Sequence, residues 1–470
     1  MQLGIVIMAA GKGTRLKSRR AKVLHEIGGQ PLLRHVIAAA AQVVPAHDIL
    51  VVIGHQAEAV RASVRDTGVR FVEQEEQRGT GHAIQCAEHE TRDYGHLIVL
   101  SGDVPLLKSE TIAALRDFHL RARAAMTILT AEPENPFGYG RVLRKSPGKP
   151  EVAAIVEQRA LKPAQEGLRE INSGIYAFQR QSLYEHIGQL QATNAHRELY
   201  LTDMAGILEA AGERVVAVEA VQAAEVLGAN TIAEMMELDR AMRLERARGL
   251  MAEGVVIFQP ETVRIDAGVE VGPDTVIEPF VQLLGTTRVG SECRIRSYAV
   301  LENTTLGDRV EILQSCVIED AVIEKGARLG PMAHLRPGCH IGENVHIGNF
   351  VEAKKTRMGA GSKANHLTYL GDAQVGSRTN VGAGTITCNY DGVNKYPTVI
   401  GDGVFVGSDS ALVAPLVIGD GAYIAAGSVI TDDVPADALA LGRARQVTKE
   451  GWAKNRRAQQ ELHGKGSSKK

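Results

Sequence analysis

The sequence predicts two architectures in succession. The first is an α/β domain on a doubly wound, mostly parallel sheet. The second is a parallel β-helix of hexapeptide repeats, and one helix joins them. Three observations carry this. Apolar runs alternate with helix-like segments over residues 1 to about 229, a charged periodic segment spans Ile232 to Ala252, and from Val263 to Ile430 an aliphatic residue recurs every six positions. The boundaries fall at 1–232, 233–253 and 254–470.

In the first part Leu3–Ala10, Asp48–Ile53, Val69–Val72, His96–Ser101 and Ala125–Thr130 read as strands. Pro31–Val44, Gln56–Val64, Gly79–His89 and Ser109–His119 read as helices. That βαβ rhythm implies crossover connections and hence a parallel sheet. Gly140–Leu143, Glu151–Glu157 and Ile175–Phe178 look like antiparallel additions forming a substrate lobe. Met235, Met236, Leu238, Met242 and Leu244 give the joining helix its apolar positions.

The six-residue period fits neither a helix nor a flat strand. It fits a coil of three short strands and three corners, each inward aliphatic stacking on the residue eighteen positions on. Ile265, Val271, Ile277 and Leu283 begin the series, and Ile418, Ile424 and Ile430 end it. Glycine often follows the aliphatic, as in Ile341-Gly and Val406-Gly, where a tight corner leaves no room for a Cβ. From Arg443 onward nine Lys/Arg face two Glu, a tail that is either a solvated arm or a dock for an anionic ligand.

Net charge is −2 and 44% of residues are hydrophobic, so nothing asks for nucleic acid or membrane partners. Cys86, Cys293, Cys316, Cys339 and Cys388 are scattered without metal-ligand spacing, which fits a reducing cytoplasm. Leu3–Ala10 is too short for a signal peptide and lacks a basic flank. No stretch reaches the roughly 20 apolar residues of a membrane helix.

Two constellations carry chemistry. In the first part the opening strand runs into Gly11-Lys12-Gly13-Thr14-Arg15, with Lys22 close behind. Two glycines let backbone N–H groups approach phosphate, and two cations neutralise it. Ser101-Gly102-Asp103 ends an apolar strand at the edge where open α/β sheets bind ligands, and a carboxylate there suits Mg²⁺ beside phosphates. Together with Gln77–His82, Gly138–Arg141, Ile155–Glu157, Ile171–Gly174 and Gly228–Asn230, these motifs resemble the sugar-phosphate nucleotidyltransferases. They are most similar to the uridylyltransferase half of the bacterial bifunctional enzymes that make UDP-N-acetylglucosamine. The resemblance implies that Met8, Ala9, Ala10, Gly11, Gln74, Gly79 and Thr80 hold the uridine nucleotide of UTP, with Ser101 and Gly102 bordering it. It implies that Gly140, Glu157 and Asn172 hold the sugar, that Asp103 and Asn230 bind Mg²⁺, and that Lys22 and Arg15 are catalytic. The nucleophile, a sugar 1-phosphate, is already anionic, so alignment and charge neutralisation suffice without a base. Two residues depart from the family pattern. Ala21 replaces a proline, an expected loosening of the basic loop Lys17–Arg20, and Ser101 replaces an aromatic.

The second constellation lies where the repeat is interrupted, at 351–369 and 388–398. Arg336 and Lys354 are eighteen apart and should stack about 4.8 Å from each other, a repulsion that a sugar phosphate would relieve. His334, His340 and His346, six apart, should diverge onto three faces, which argues against a metal. The segments Asn365–Asp372 and Cys388–Gly392, with Asn380 and Ala383, resemble the acetyltransferase half of the same enzymes. The resemblance implies that His366 is the general base, a task suited to an imidazole. It implies that Arg336, Lys354, Tyr369, Asn380 and Lys395 bind glucosamine 1-phosphate, and that Ala383, Asn389, Tyr390, Ser408, Ala426 and Arg443 border acetyl-CoA. It also implies a left-handed coil, which spacing alone does not give. Because counting hexapeptides puts His366 on a different face from Arg336 and Lys354, a neighbouring chain should complete the site in a homotrimer.

The expected activity is therefore double. Acetyl-CoA acetylates glucosamine 1-phosphate, then UTP uridylylates the product. A single-activity nucleotidyltransferase with a structural β-helix would need neither the His366 segment nor the loop Asn389–Lys395. A non-catalytic interaction protein would not need Lys22, Asp103 and Asn230.

Overall fold

The structure is a computed structural model that describes residues 2–194 and 197–466. It divides into two compact units, Met1–Gly249 with Ile265–Gly268, and Leu250–Arg264 with Val269–Lys470.

The first unit is built on a nine-stranded sheet among the described residues, whose main path runs Val215–Glu219, Met126–Ala131, Ile171–Gln179, His96–Ser101, Leu3–Met8, Ile49–Ile53, Arg70–Glu73. Neighbours are parallel except Ile171–Gln179, which runs against both its neighbours. The expected peripheral addition at Ile175–Phe178 is thus a central strand. Its residues are almost wholly buried, because both of its faces carry core. Arg141–Arg144 and Val152–Val156 form the antiparallel lobe beside it. Helices Leu32–Ala41, Ala57–Ser63, Thr80–Cys86 and Ser109–Ala122 lie within the predicted segments or a few residues of them. The apolar alternation Ile5, Ile7 against Val6 sends side chains into a core on each face of the sheet.

The helix Ile232–Ala252 occupies the predicted span. Thr231 and Glu234 cap its start reciprocally: Thr231 Oγ1 accepts the Glu234 N–H at 3.2 Å, and the Glu234 carboxylate accepts the N–H of Thr231 and Asn230. Further along, Arg243 bonds Asp239 and Asp266, and Asp239 accepts the Gly28 N–H at 2.7 Å.

In the second unit three parallel sheets of eleven, ten and nine strands, counted among the described residues, form a three-faced prism. Every aliphatic of the six-residue series is buried, from Ile277 to Ile430. Ala353 and Thr387 fill the two inward positions the series skips. Stacking partners are not always eighteen apart. Ile277 pairs with Ile295, but Ile295 pairs with Ile312 and Leu301 with Ile318. Each shortened step falls at one corner, after the ten-stranded face, as between Leu301 and Leu306 or Leu370 and Val375. The insertion between Thr387 and Ile400 leaves the prism at that same corner. Corners tolerate length changes because they carry no ladder register. His334, His340 and His346 fall one on each face. Among the described residues no helix is long and apolar enough to cross a membrane. The basic tail forms the helix Trp452–Gly466.

Candidate functional sites

In the first unit the C-terminal ends of the parallel strands bring distant residues together. Gly13, with φ +61°, passes so close to Lys22 that a Cβ would meet Lys22 Cβ at 2.7 Å. Gly54 is likewise packed against Ala10 and the Gln74 carbonyl, where a Cβ would come within 2.9 Å of each. Lys22 Nζ forms an ion pair with Asp103 and donates to Asn230 Oδ1 at 3.1 Å. The two oxygen donors expected to hold a metal thus converge on one cationic atom. An aspartate oxygen and an amide oxygen are the donor types that suit a divalent ion drawing its other ligands from phosphates and water. Among the described residues no group of three or more His, Cys, Asp or Glu forms a self-sufficient metal cage.

Gln74 is buried, and its Nε2 donates to the Gly79 carbonyl at 3.0 Å and lies 3.1 Å from His82 Nδ1. Gly79 has φ +105°, and a Cβ there would meet the Leu199 carbonyl at 2.6 Å. Thr80 Oγ1 accepts the Leu201 N–H at 3.0 Å. Met8, Ala9, Ala10 and Gly11 border the same strand ends; the Ala9 N–H bonds the Val52 carbonyl and the Gly102 N–H bonds the Met8 carbonyl. Ser101 pairs with Met8 in register, with its Oγ near Gly174. Arg15 is exposed on the short turn Thr14–Leu16.

On the sugar side, the Asn172 N–H bonds the Gly140 carbonyl at 2.9 Å, and a Cβ on Gly140 would come 3.6 Å from Glu157 Oε1. Burial pushes the Glu157 carboxyl up, and the Thr202 hydroxyl at 3.3 Å partly opposes it. Asn172 Nδ2 donates to Tyr176 Oη at 2.9 Å. Thr202 and His82 had no role in the sequence reading. His82 ends the motif Gln77–His82, whereas Thr202 has no motif around it.

The basic loop is exposed and is tethered at its C-terminal end by Gln56. The Ala21 N–H donates to Gln56 Oε1 at 2.8 Å, and Gln56 Nε2 donates to the Arg19 carbonyl at 2.8 Å. A proline at 21 has no N–H to make the first bond, so Gln56 replaces the ring's restraint.

In the prism the predicted residues separate onto two edges. At one edge, Lys354 stands in register with Gly371, and Arg336 lies one coil before it. Lys395 beside it, then burial and Arg336, hold the Lys354 ammonium below the usual lysine range, while Asp372 opposes this. Arg336 bonds Glu352 at 3.2 Å. Gly371 makes room for its neighbours, since a Cβ would meet Tyr369 Oη at 2.5 Å and Asn389 Nδ2 at 2.8 Å. Asn389 donates to Asp372 at 2.5 Å, and Tyr390 bridges to Lys395 across the inserted loop. Three cations at one corner, two of them on different coils, suit an anionic group such as a phosphate.

At the other edge, the exposed His366 pairs in register with Asn349. Its carbonyl accepts the Gly384 N–H, that of Ala383 accepts the Asp409 N–H, and that of Ser408 accepts the Gly427 N–H. His366, Ala383, Ser408 and Ala426 thus climb one corner of the prism, and Arg443 Cδ lies against Gly427. Asn380 sits on the face of His366, and Asn389 and Tyr390 sit at the opposite corner. One chain therefore does not gather either predicted set whole.

A strand-end phosphate cradle and a repeat prism with an edge-mounted imidazole define a nucleotidyltransferase joined to a hexapeptide-repeat acyltransferase. Residues 5–200 match the MobA-like NTP transferase domain family, and residues 320–353 and 397–432 match the bacterial transferase hexapeptide (six repeats) family. The prism is a left-handed β-helix. The chain is 58% identical over 460 residues to the bifunctional protein GlmU of Koribacter versatilis (strain Ellin345), covering 98% of each. It is 52% identical over 456 residues to that of Solibacter usitatus (strain Ellin6076), covering 97% of each. It is 47% identical over 449 residues to that of Pelobacter propionicus, covering 95% of this chain and 97% of the relative. The chain belongs to the family of the bifunctional protein GlmU. It is a glucosamine-1-phosphate N-acetyltransferase and N-acetylglucosamine-1-phosphate uridylyltransferase of UDP-N-acetylglucosamine synthesis.

Proposed function

We propose that residues 1–232 perform the uridylyl transfer, residues 254–470 the acetyl transfer, and that 233–253 only link them. The observation that carries the first assignment is the meeting of Lys22, Asp103 and Asn230 at the strand ends. UTP lies over Met8–Gly11, Gln74, Gly79, Thr80 and Ser101–Asp103, and N-acetylglucosamine 1-phosphate lies against Gly140, Glu157 and Asn172. The sugar phosphate oxygen attacks the α-phosphorus of UTP and pyrophosphate leaves. Lys22 and Arg15 neutralise charge on the leaving group. Asp103 and Asn230 would hold Mg²⁺, which when bound supplies further neutralisation between the phosphates.

In the prism, Arg336, Lys354, Tyr369, Asn380 and Lys395 hold glucosamine 1-phosphate, and Ala383, Asn389, Tyr390, Ser408, Ala426 and Arg443 hold acetyl-CoA. His366 takes a proton from the amine as nitrogen attacks the thioester carbon. The C–S bond breaks and coenzyme A leaves as a thiol.

The working assembly in this reading is a cytoplasmic homotrimer. Its support is an apolar edge. Phe280, Tyr298, Met332, Phe350 and Leu367 occupy five of six successive positions of the His366 corner, with Ser315 between Tyr298 and Met332; all five have φ between 50° and 66° and are 46–64% exposed. Phe280 and Tyr298 stack at 5.1 Å. A bulky residue in left-handed backbone costs about 1–2 kcal/mol. Large apolar side chains held there and left in water favour a covering partner. The edge is also the one bearing His366, so a second copy on it brings its own cationic corner to the imidazole.

The test is one assay of the purified protein with glucosamine 1-phosphate, acetyl-CoA, UTP and Mg²⁺, following thiol and pyrophosphate separately. Asp103→Ala should stop pyrophosphate release alone. A folded Asp103→Ala protein that also releases no thiol sinks the two-site division.

A further inference from the structure

We propose that Arg141 is a positioning residue for the sugar side of the uridylyl-transfer site, acting through three segments that its guanidinium ties together. The proposal rests on the sugar-binding reading of Gly140, Glu157 and Asn172.

Arg141 is only 3% exposed. Its Nε donates to the Leu168 carbonyl at 2.8 Å, one terminal nitrogen to the Tyr139 carbonyl at 2.5 Å, and the other to Gln158 Oε1 at 3.1 Å. Among the described residues no carboxylate pairs with it. Arg144, in the same strand, is the contrast: it pairs with Glu170 at 2.5 Å, an ordinary ion pair. A buried cation satisfied by neutral oxygens alone is expensive to desolvate, and burial lowers the Arg141 pKa accordingly. What this arrangement provides is geometry. A planar fork can hold three acceptors in fixed directions, which a lysine cannot.

Each acceptor adjoins a sugar-side group. Tyr139 precedes Gly140, Gln158 follows Glu157, and Leu168 leads into the strand Ile171–Gln179 that carries Asn172. The ring is closed by the Asn172 N–H on the Gly140 carbonyl at 2.9 Å and by the Gly138 N–H on Gln158 Oε1 at 3.1 Å. Arg141 touches no substrate in this arrangement. It sets the spacing between Gly140, Glu157 and Asn172.

The experiment uses the full-length chain as Arg141→Lys, Gln158→Ala and Glu157→Gln, with both activities measured on each. Arg141→Lys should raise KM for N-acetylglucosamine 1-phosphate about tenfold, the scale of losing hydrogen bonds to a charged group. KM for UTP should stay within about twofold, because the lost interaction is not on the nucleotide side. Acetyl transfer should be unchanged, and far-ultraviolet circular dichroism and a thermal melt matching the parent's certify that the first unit is folded. Gln158→Ala should move the same KM in the same direction by less. An unmoved sugar-phosphate KM in Arg141→Lys, or equal losses toward both substrates, overturns the proposal. If Arg141→Lys does not fold, Gln158→Ala decides by the same criterion. Glu157→Gln separates the layers. If it leaves the sugar-phosphate KM unchanged, the sugar-side reading falls. If it raises that KM while Arg141→Lys does not, only the clamp falls.

Discussion

The two halves of the chain assemble chemistry in opposite ways. In the first unit, residues as far apart as Lys22, Asp103 and Asn230 meet within hydrogen-bond reach of one atom. In the prism, His366 and Lys354 are twelve positions apart in the chain and stand at different corners. The cause is topological. A doubly wound sheet delivers every parallel strand's end to the same edge, so each crossover returns the chain to the site. A prism delivers successive strands to different faces, so its functional groups run along its edges as ladders, and groups on different edges do not converge. A sheet domain can therefore finish its site alone, whereas the division of the prism's residues between two edges is the reason for proposing a second copy.

The sharpest way to break that contrast is to attack each site and then the apolar edge. Asp103→Ala should cost uridylyl transfer about 10²- to 10³-fold or more, as loss of charge stabilisation does, and leave acetyl transfer intact. His366→Ala should do the converse, with a loss of about 10²- to 10⁴-fold typical of a missing general base. Phe350→Glu with Leu367→Glu should dissociate the assembly in sedimentation and abolish acetyl transfer while uridylyl transfer persists. A monomer that still acetylates at the full rate removes the contrast altogether.

How much of this could be read beforehand follows the same division. The prism was legible because its period is covalent arithmetic: every aliphatic in the series is buried, and the joining helix starts and stops where its apolar pattern does. The shortened coils were legible too, as five-residue steps such as Leu301 to Leu306 and Leu370 to Val375, but the single corner they share was not. The central place of Ile171–Gln179 was not legible either. A strand buried on both faces reads the same wherever it pairs, and only long-range register distinguishes centre from edge. Site residues that lie in dense motifs could be named. Those that act by holding others, such as Gln56 on Ala21 or Thr202 on Glu157, could not, because their partners are 35 and 45 positions away.

A finer probe of the prism's cationic corner is its pH dependence. Lys354 is held low chiefly by Lys395, with smaller contributions from burial and Arg336. Phosphate binding favours the protonated ammonium. Affinity for glucosamine 1-phosphate is therefore present below the free Lys354 pKa and fades as pH rises through it. Lys395→Met should weaken binding at all pH values yet move that alkaline fade upward, toward the ordinary lysine range. Plots of KM against pH that fade at the same point in both proteins would show that the two ammonium groups do not feel each other.

The smallest effect belongs to the basic loop of the first unit, where this chain has exchanged one restraint for another. Gln56→Ala removes two hydrogen bonds, each worth about 0.5–1.5 kcal/mol, so the KM for UTP should rise a few-fold and trypsin should cut faster within Lys17–Arg20. Ala21 has φ −56° and ψ 140°, values that a proline adopts without strain. Adding Ala21→Pro to Gln56→Ala should therefore restore both protease resistance and the UTP KM, because the ring limits the unfolded and loosened conformations in place of the lost bonds. In the otherwise natural chain, the same Ala21→Pro should instead be neutral or harmful, since it removes the N–H that Gln56 accepts. That reversal of sign between the two backgrounds distinguishes an exchanged restraint from a loop that needs none. An equal effect of Ala21→Pro in both would assign the loop's order to something other than Gln56.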